Sequence, residues 1–246
     1  VPAMLSHICI LLFKIVDGVF VGKGVGADAL GAVNIAFPVI MVQGSCFLLA
    51  AIGGVTVSAI RFGRNDKEGA NEIVMHSFFF TFLIGAVFTL IGCLFSVPIC
   101  RLLGANDTFL KMASDYLYWY LLFSIPSGLG ICLQGFCRND EAPGQTSVAV
   151  IIAAFSNIFL DWLFIFPLGW GVSGAAVASG IAQCISFLFV FLHFLNRKGS
   201  LFIHFPKFSL ASIKKIIVRG APEAIAQFAT PMHILCLNLV LSRYVG

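Results

Sequence analysis

Charge is what this chain has least of: Asp, Glu, Lys and Arg supply 11% of its 246 residues, against about a quarter in an ordinary soluble domain. With 59% hydrophobic residues and a mean hydropathy of +1.00, it cannot clothe a water-soluble globule, which leaves a polytopic membrane protein in a lipid bilayer. Also absent is any C-x-x-C pair. Cys9, Cys46, Cys93, Cys100, Cys132, Cys137, Cys184 and Cys236 are scattered, mostly in apolar runs, and read as small core hydrophobes, not as a metal centre or disulfide framework. No cleavable signal peptide and no initiator Met precede the first apolar run, which begins at Val1, as expected of a fragment. No basic cluster sits on a polar stretch. The net charge of +4 is spread over short gaps, a topology signal and not a nucleic-acid footprint.

What is present is a series of long apolar runs. Seven spans are expected: Val1–Gly22, Leu30–Ile60, Glu72–Cys100, Lys111–Phe136, Gln145–Phe166, Val172–Leu195 and Pro222–Arg243, each able to cross a core of roughly 30 Å as a helix. The fold class is therefore an all-α membrane protein. Arg61, Arg64, Lys67, Arg138, Arg197, Lys198, Lys207, Lys214, Lys215 and Arg219 fall in the gaps after even spans; only Lys23, Arg101, Lys111 and Arg243 fall on the other side. Basic residues favour the inner face, so the even gaps are assigned to the cytoplasm. Leu210–Val218, with two lysines among apolar residues, reads as an interfacial helix. Residues 1–26 laid over 221–246 pair Pro2 with Pro222, Lys23 with Arg243, Val25 with Val245 and Gly26 with Gly246. That suggests a duplicated six-helix unit, in an intact protein of about 440 residues. The organisation expected is a six-helix transmembrane lobe at 1–200, a cytoplasmic linker at 201–220, and the first helix of a second, pseudo-symmetric lobe at 221–246.

Two of the carboxylates within the spans, Asp17 and Asp161, stand out. Asp161 is the only charge between Val148 and Phe166; an aspartate at a helix centre costs roughly 2.5–3.5 kcal/mol on insertion and is normally kept for a cavity, a partner or an ion path. Asn157 is one turn earlier on the same face. Asp161 is five residues from the outer end of its span and Asp17 five from the end of the first, so both lie roughly 8 Å inside the boundary. Tyr116 and Ser179, on the spans that enter from outside, reach a similar depth. Such a set offers an oxygen-rich pocket for a hard cation such as Na⁺, or a carboxyl cluster that holds a proton.

IVDGVFVGKGVGADALGAVNIAFP, FGRNDKEGAN, LQGFCRNDEAPG and NIFLDWLFIFPLGWGVSGAAVAS resemble the first lobe of the multidrug and toxic compound extrusion (MATE) family, in its prokaryotic branch. The resemblance covers essentially the whole chain, with the last five helices absent. It implies a cation-coupled (Na⁺ or H⁺) antiporter, not an enzyme, in the inner (plasma) membrane, exporting cationic or amphipathic organic compounds. No cofactor beyond the coupling ion is implied, and the partner is the missing carboxy-terminal lobe. It assigns the cation or proton site to Asp17, Tyr116, Asn157, Asp161 and Ser179, with Asp17, Asn157 and Asp161 holding Na⁺ if sodium is the ion. Pro2 matches a proline linked to bending of the first helix. Lys14 departs from the family, where an uncharged polar residue is common, and is a candidate modulator of Asp17. Thr230 stands where some branches carry a seventh-helix Glu.

Two other readings compete. A lipid-linked oligosaccharide flippase of the same superfamily should line its cavity with several arginines for pyrophosphate, and these spans hold almost no buried cations besides Lys14. An intramembrane aspartyl protease would also use paired carboxyls but expects G-x-G-D, where this chain has IVDG and FLDW.

Overall fold

The computed structural model describes residues 15–140, 143–195 and 209–244, and every element among them is a helix. The first, α1, covers 15–24. It is followed by α2 (Ala27–Gly63), α3 (Lys67–Leu102), α4 (Asp107–Leu122), α5 (Ser124–Asn139), α6 (Pro143–Ile165), α7 (Gly171–Leu195) and α8 (Leu210–Tyr244). By length and composition α2, α3, α6 and α7 can each cross a membrane, and α4 with α5 makes a fifth, broken span. Pro2, Lys14, most of the first span, the last residues of the expected lobe (196–200) and residues 201–208 of the linker lie outside the described residues.

Sequence chemistry sets the starts and turns. Asp66 caps α3 by accepting from the Gly69 N–H at 2.9 Å, and Asn106 caps α4 by accepting from Phe109 N–H at 3.1 Å. Between α6 and α7 the chain reverses through Gly169 and Gly171, at φ 62° and 60°, a left-handed conformation that glycine adopts without strain. The Trp170 N–H donates to the Phe164 carbonyl at 2.9 Å and its ring stacks on Phe164 at 4.8 Å. This tight turn fixes the register of α6 against α7.

The fourth span is not the single helix expected over Lys111–Phe136. It breaks at Phe123 with a bend of 51°. Pro126 has no N–H, and its ring collides with the carbonyl four residues back, at Leu122, where α4 ends. Neighbours take up the loosened backbone: Thr89 Oγ1 donates to the Leu121 carbonyl at 3.2 Å, Ser124 Oγ donates to the same oxygen, and Gln43 Nε2 donates to Ser124 Oγ at 2.6 Å. Such rescue is what allows a broken helix at membrane depth.

The packing uses small residues, as expected where lipid is as apolar as the helix faces. One core cluster joins Ala29, Ala32 and Ala36 of α2 to Leu117 and Leu121 of α4 and to Ala175 and Ala176 of α7. A second, towards the other end, centres on Leu133 and Phe136 of α5 with Val74 of α3, Val190 and Phe194 of α7. Phe79, Phe82, Leu83, Leu90, Leu94 and Phe95 of α3 are exposed, a face suited to acyl chains.

The helix α8 crosses α2 at glycine contacts on both sides: a Cβ on Gly53 would strike the Ile216 carbonyl, and one on Gly220 the Leu49 carbonyl. Ile216 is fully buried there. At the start of α8 the Ser209 N–H donates to His76 Nε2 at 2.8 Å, while His76 Nδ1 lies 2.7 Å from the Glu72 carbonyl. The stretch Leu210–Val218 and the span from Pro222, expected as separate elements, run as one helix. Packing against α2 outweighs the roughly 3 kcal/mol by which an interior proline disfavours a helix.

Candidate functional site

The contact between α1 and α6 brings the two carboxylates together. A Cβ on Gly24 would strike Ile165, and Phe20 meets Phe166 edge-on at 5.7 Å. Asp17 precedes Gly24 by seven residues, two turns along the same face, and Asp161 precedes Ile165 by four. A close approach at the helix ends therefore makes the carboxylates neighbours one to two turns deeper, and they interact directly.

Asp161 is fully buried, Asn157 is 2% exposed and Tyr116 6%. Asn157 Nδ2 donates to Ser179 Oγ at 3.2 Å, a bond made possible by the α6–α7 turn. From α4, Tyr116 stacks on Tyr120 at 6.0 Å, and both lie near the carboxylates. The structure thus brings Asp17, Tyr116, Asn157, Asp161 and Ser179 to one locality between α1, α4, α6 and α7. Tyr120 belongs with them and was not anticipated, although its position one turn after Tyr116 was a readable signal.

Two cavities are lined by other residues: one of about 480 Å³ between α2 and α5, with Gln134, Gly135 and Arg138 in its wall, and one of about 560 Å³ beside α1 and the start of α2. Within the cluster, Asp17 Oδ1, Asn157 Oδ1 and both carboxylate oxygens of Asp161 have no hydrogen-bond partner of regular geometry among the described residues. No Lys or Arg is buried among those residues. An uncompensated buried charge costs several kcal/mol, so this all-oxygen set fits a proton or a hard cation shared between the carboxyls.

The family model MatE matches residues 2–163, well over half of the sequence. The chain belongs to the MatE family. It is 29% identical over 207 residues to a protein of Shewanella oneidensis named FAD transporter, covering 82% of this chain and 44% of that protein. It is 25% identical over 249 residues to multidrug export protein MepA of Staphylococcus saprophyticus, covering 99% of this chain and 54% of MepA. Among solved structures, a MATE protein in complex with MaD3S superposes with a TM-score of 0.89 at 27% identity, over 98% of this chain and 55% of that one. An outward-facing multidrug resistance MATE transporter gives 0.87 at 26%, over 94% and 52%. The chain spans about half the length of the curated relatives it matches. With its apolar helices, membership of this transporter family makes it a multi-pass membrane protein and not an enzyme.

Proposed function

We propose that this chain forms the first lobe of a cation-coupled exporter in the plasma membrane, in which inward movement of Na⁺ or H⁺ at Asp17 and Asp161 drives an organic compound outward. The observation that carries this reading is the buried carboxyl pair, three of whose oxygens lack a partner among the described residues. Tyr116, Asn157 and Ser179 line the same locality, with Asn157 bonded to Ser179. Binding a cation removes the repulsion between the carboxylates and lets α1 settle against α6. The ion drives the lobes only as far as it binds one arrangement more tightly than the other. The flippase reading finds no support in the buried set, which contains no arginine among the described residues.

The test is vesicle efflux by the complete protein under an imposed H⁺ or Na⁺ gradient, with ethidium and FAD as parallel cargoes because relatives are named for multidrug export and for FAD transport. Asp17→Asn and Asp161→Asn each keep the side-chain shape and remove the charge. Gradient-driven efflux should fall at least about tenfold in either, a coupling loss of about 1.4 kcal/mol or more. Wild-type rates in both would refute the site.

A further inference from the structure

A second buried ionisable pair lies at the opposite end of the bundle. His193 Nε2 of α7 donates to Asp140 Oδ2 at 3.3 Å, and both side chains are 3% exposed. That bond leaves the lone pair of the neutral imidazole on Nδ1, which is buried and has no hydrogen-bond partner among the described residues. The Cys137 thiol of α5 interacts with Asp140, and Cys137 in turn meets the Thr146 hydroxyl of α6 and the charge of the exposed Arg138. The α3 and α7 sides of this core carry Val74, Phe78, Val190 and Phe194, and the buried Ser77 hydroxyl of α3 lies beside Phe136 at its edge. Neither residue belongs to the carboxylate cluster.

The two ends are joined along one helix. Ser179, Ser186 and His193 recur every seven residues on α7, so they share a face at steps of about 10 Å, and Gln183 falls between the first two on nearly the same line. Each of the three carries a polar partner from a neighbouring helix: Asn157 of α6 on Ser179, Gln134 of α5 on Ser186 at 3.1 Å, and Asp140 on His193. Gln134, the partner of Ser186 at the middle of the row, also lines the 480 Å³ cavity between α2 and α5.

We propose that the polar row along α7 is a proton route from the Asp17–Asp161 pair to the cytoplasmic end, with His193 as its terminal proton acceptor. The proposal rests on the reading of Asp17 and Asp161 as the coupling pair. A proton released from the carboxyls passes by way of Ser179, Gln183 and Ser186, with water carrying it between steps too long for a single hydrogen bond. It binds His193 Nδ1, giving an imidazolium held against the Asp140 carboxylate. Loss of that proton to water restores the neutral ring, so no net charge accumulates. Imidazole is suited to the task because it exchanges protons near neutral pH.

In the complete protein in lipid vesicles, His193→Gln keeps a donor towards Asp140 but cannot take the second proton. Ethidium efflux driven by a pH gradient should fall at least about tenfold, while ethidium exchange at equal pH on both sides, which needs no net proton release, stays within about twofold. Driven efflux within twofold of wild type, or equal loss of both activities, overturns the route. Nitrogen NMR of His193 in the unmodified protein gives an answer independent of any variant's folding: a ring that carries protons on both nitrogens should be detected during pH-driven efflux, and a ring whose Nδ1 never gains a proton overturns the proposal. Asp161→Asn keeps the two ideas apart. If it loses driven efflux while His193→Gln does not, the route alone is wrong; if neither loses it, the coupling pair is wrong too.

Discussion

At the scale of the residue, Asp161 shows why a costly side chain is the most informative one in such a sequence. It is the sole charge in its helix, fully buried, with neither carboxylate oxygen bonded at regular geometry among the described residues. Removing it should therefore stabilise the fold while removing the proposed coupling. Asp161→Leu is expected to raise the thermal unfolding midpoint of the detergent-solubilised protein, with a gain in stability of at most the roughly 2.5–3.5 kcal/mol of the aspartate's insertion cost. A lower midpoint would mean that the carboxylate is structural. Depth counted in helical turns was enough to group Asp17, Tyr116, Asn157, Asp161 and Ser179, because each sits a short, countable distance from a turn. Tyr120 escaped because a tyrosine near a helix end looks like an interfacial anchor. Asp140 and His193 escaped because they flank a loop and a basic gap, where polar residues are ordinary and only the packing shows them buried.

The elements were legible where apolar runs are bounded by turn chemistry, as in RFGRND and PLGWG. The break at Phe123 was less so. Proline inside a membrane helix is tolerated whenever neighbours re-satisfy the backbone, and the groups that do so here, Thr89 and Gln43, lie more than 30 residues away in sequence. The crossing of α2 and α8 was also hidden, since two isolated glycines announce a close contact only once the helices are paired. It yields a clear expectation: Gly53→Ala and Gly220→Ala should each destabilise the protein by about 1–3 kcal/mol, the usual range for overpacking, as read by thermal unfolding in detergent. Gly44→Ala, where nothing lies within 4 Å of the added carbon, is the control and should change little.

At the scale of the whole molecule, the chain matches about half of each relative; a six-helix unit is what the spans and the distant proline–glycine match suggest. Much of that match falls in residues 1–14 and 245–246, so the offset of 220 remains a reading of the sequence. Duplicated transporters work by moving one half against the other around a shared site. Expressed alone, the 246-residue chain should insert in the membrane but give no gradient-driven ethidium efflux from vesicles. Co-expression with the remainder of the complete protein should restore it, and efflux by the chain alone would refute the two-lobe reading.

The seating of α8 has a mechanical consequence. Its first turns are held by the Ser209–His76 bond, buried Ile216 and the Gly220 crossing, and the helix then continues to Tyr244. A rod gripped at one end is a lever. Over the 24 residues beyond Gly220 it extends roughly 36 Å, so a tilt of about 10° at the grip sweeps its tip through about 6 Å. In the exporter proposed above, a small tilt at the crossing would be enlarged along α8 by that ratio before it reached the second lobe.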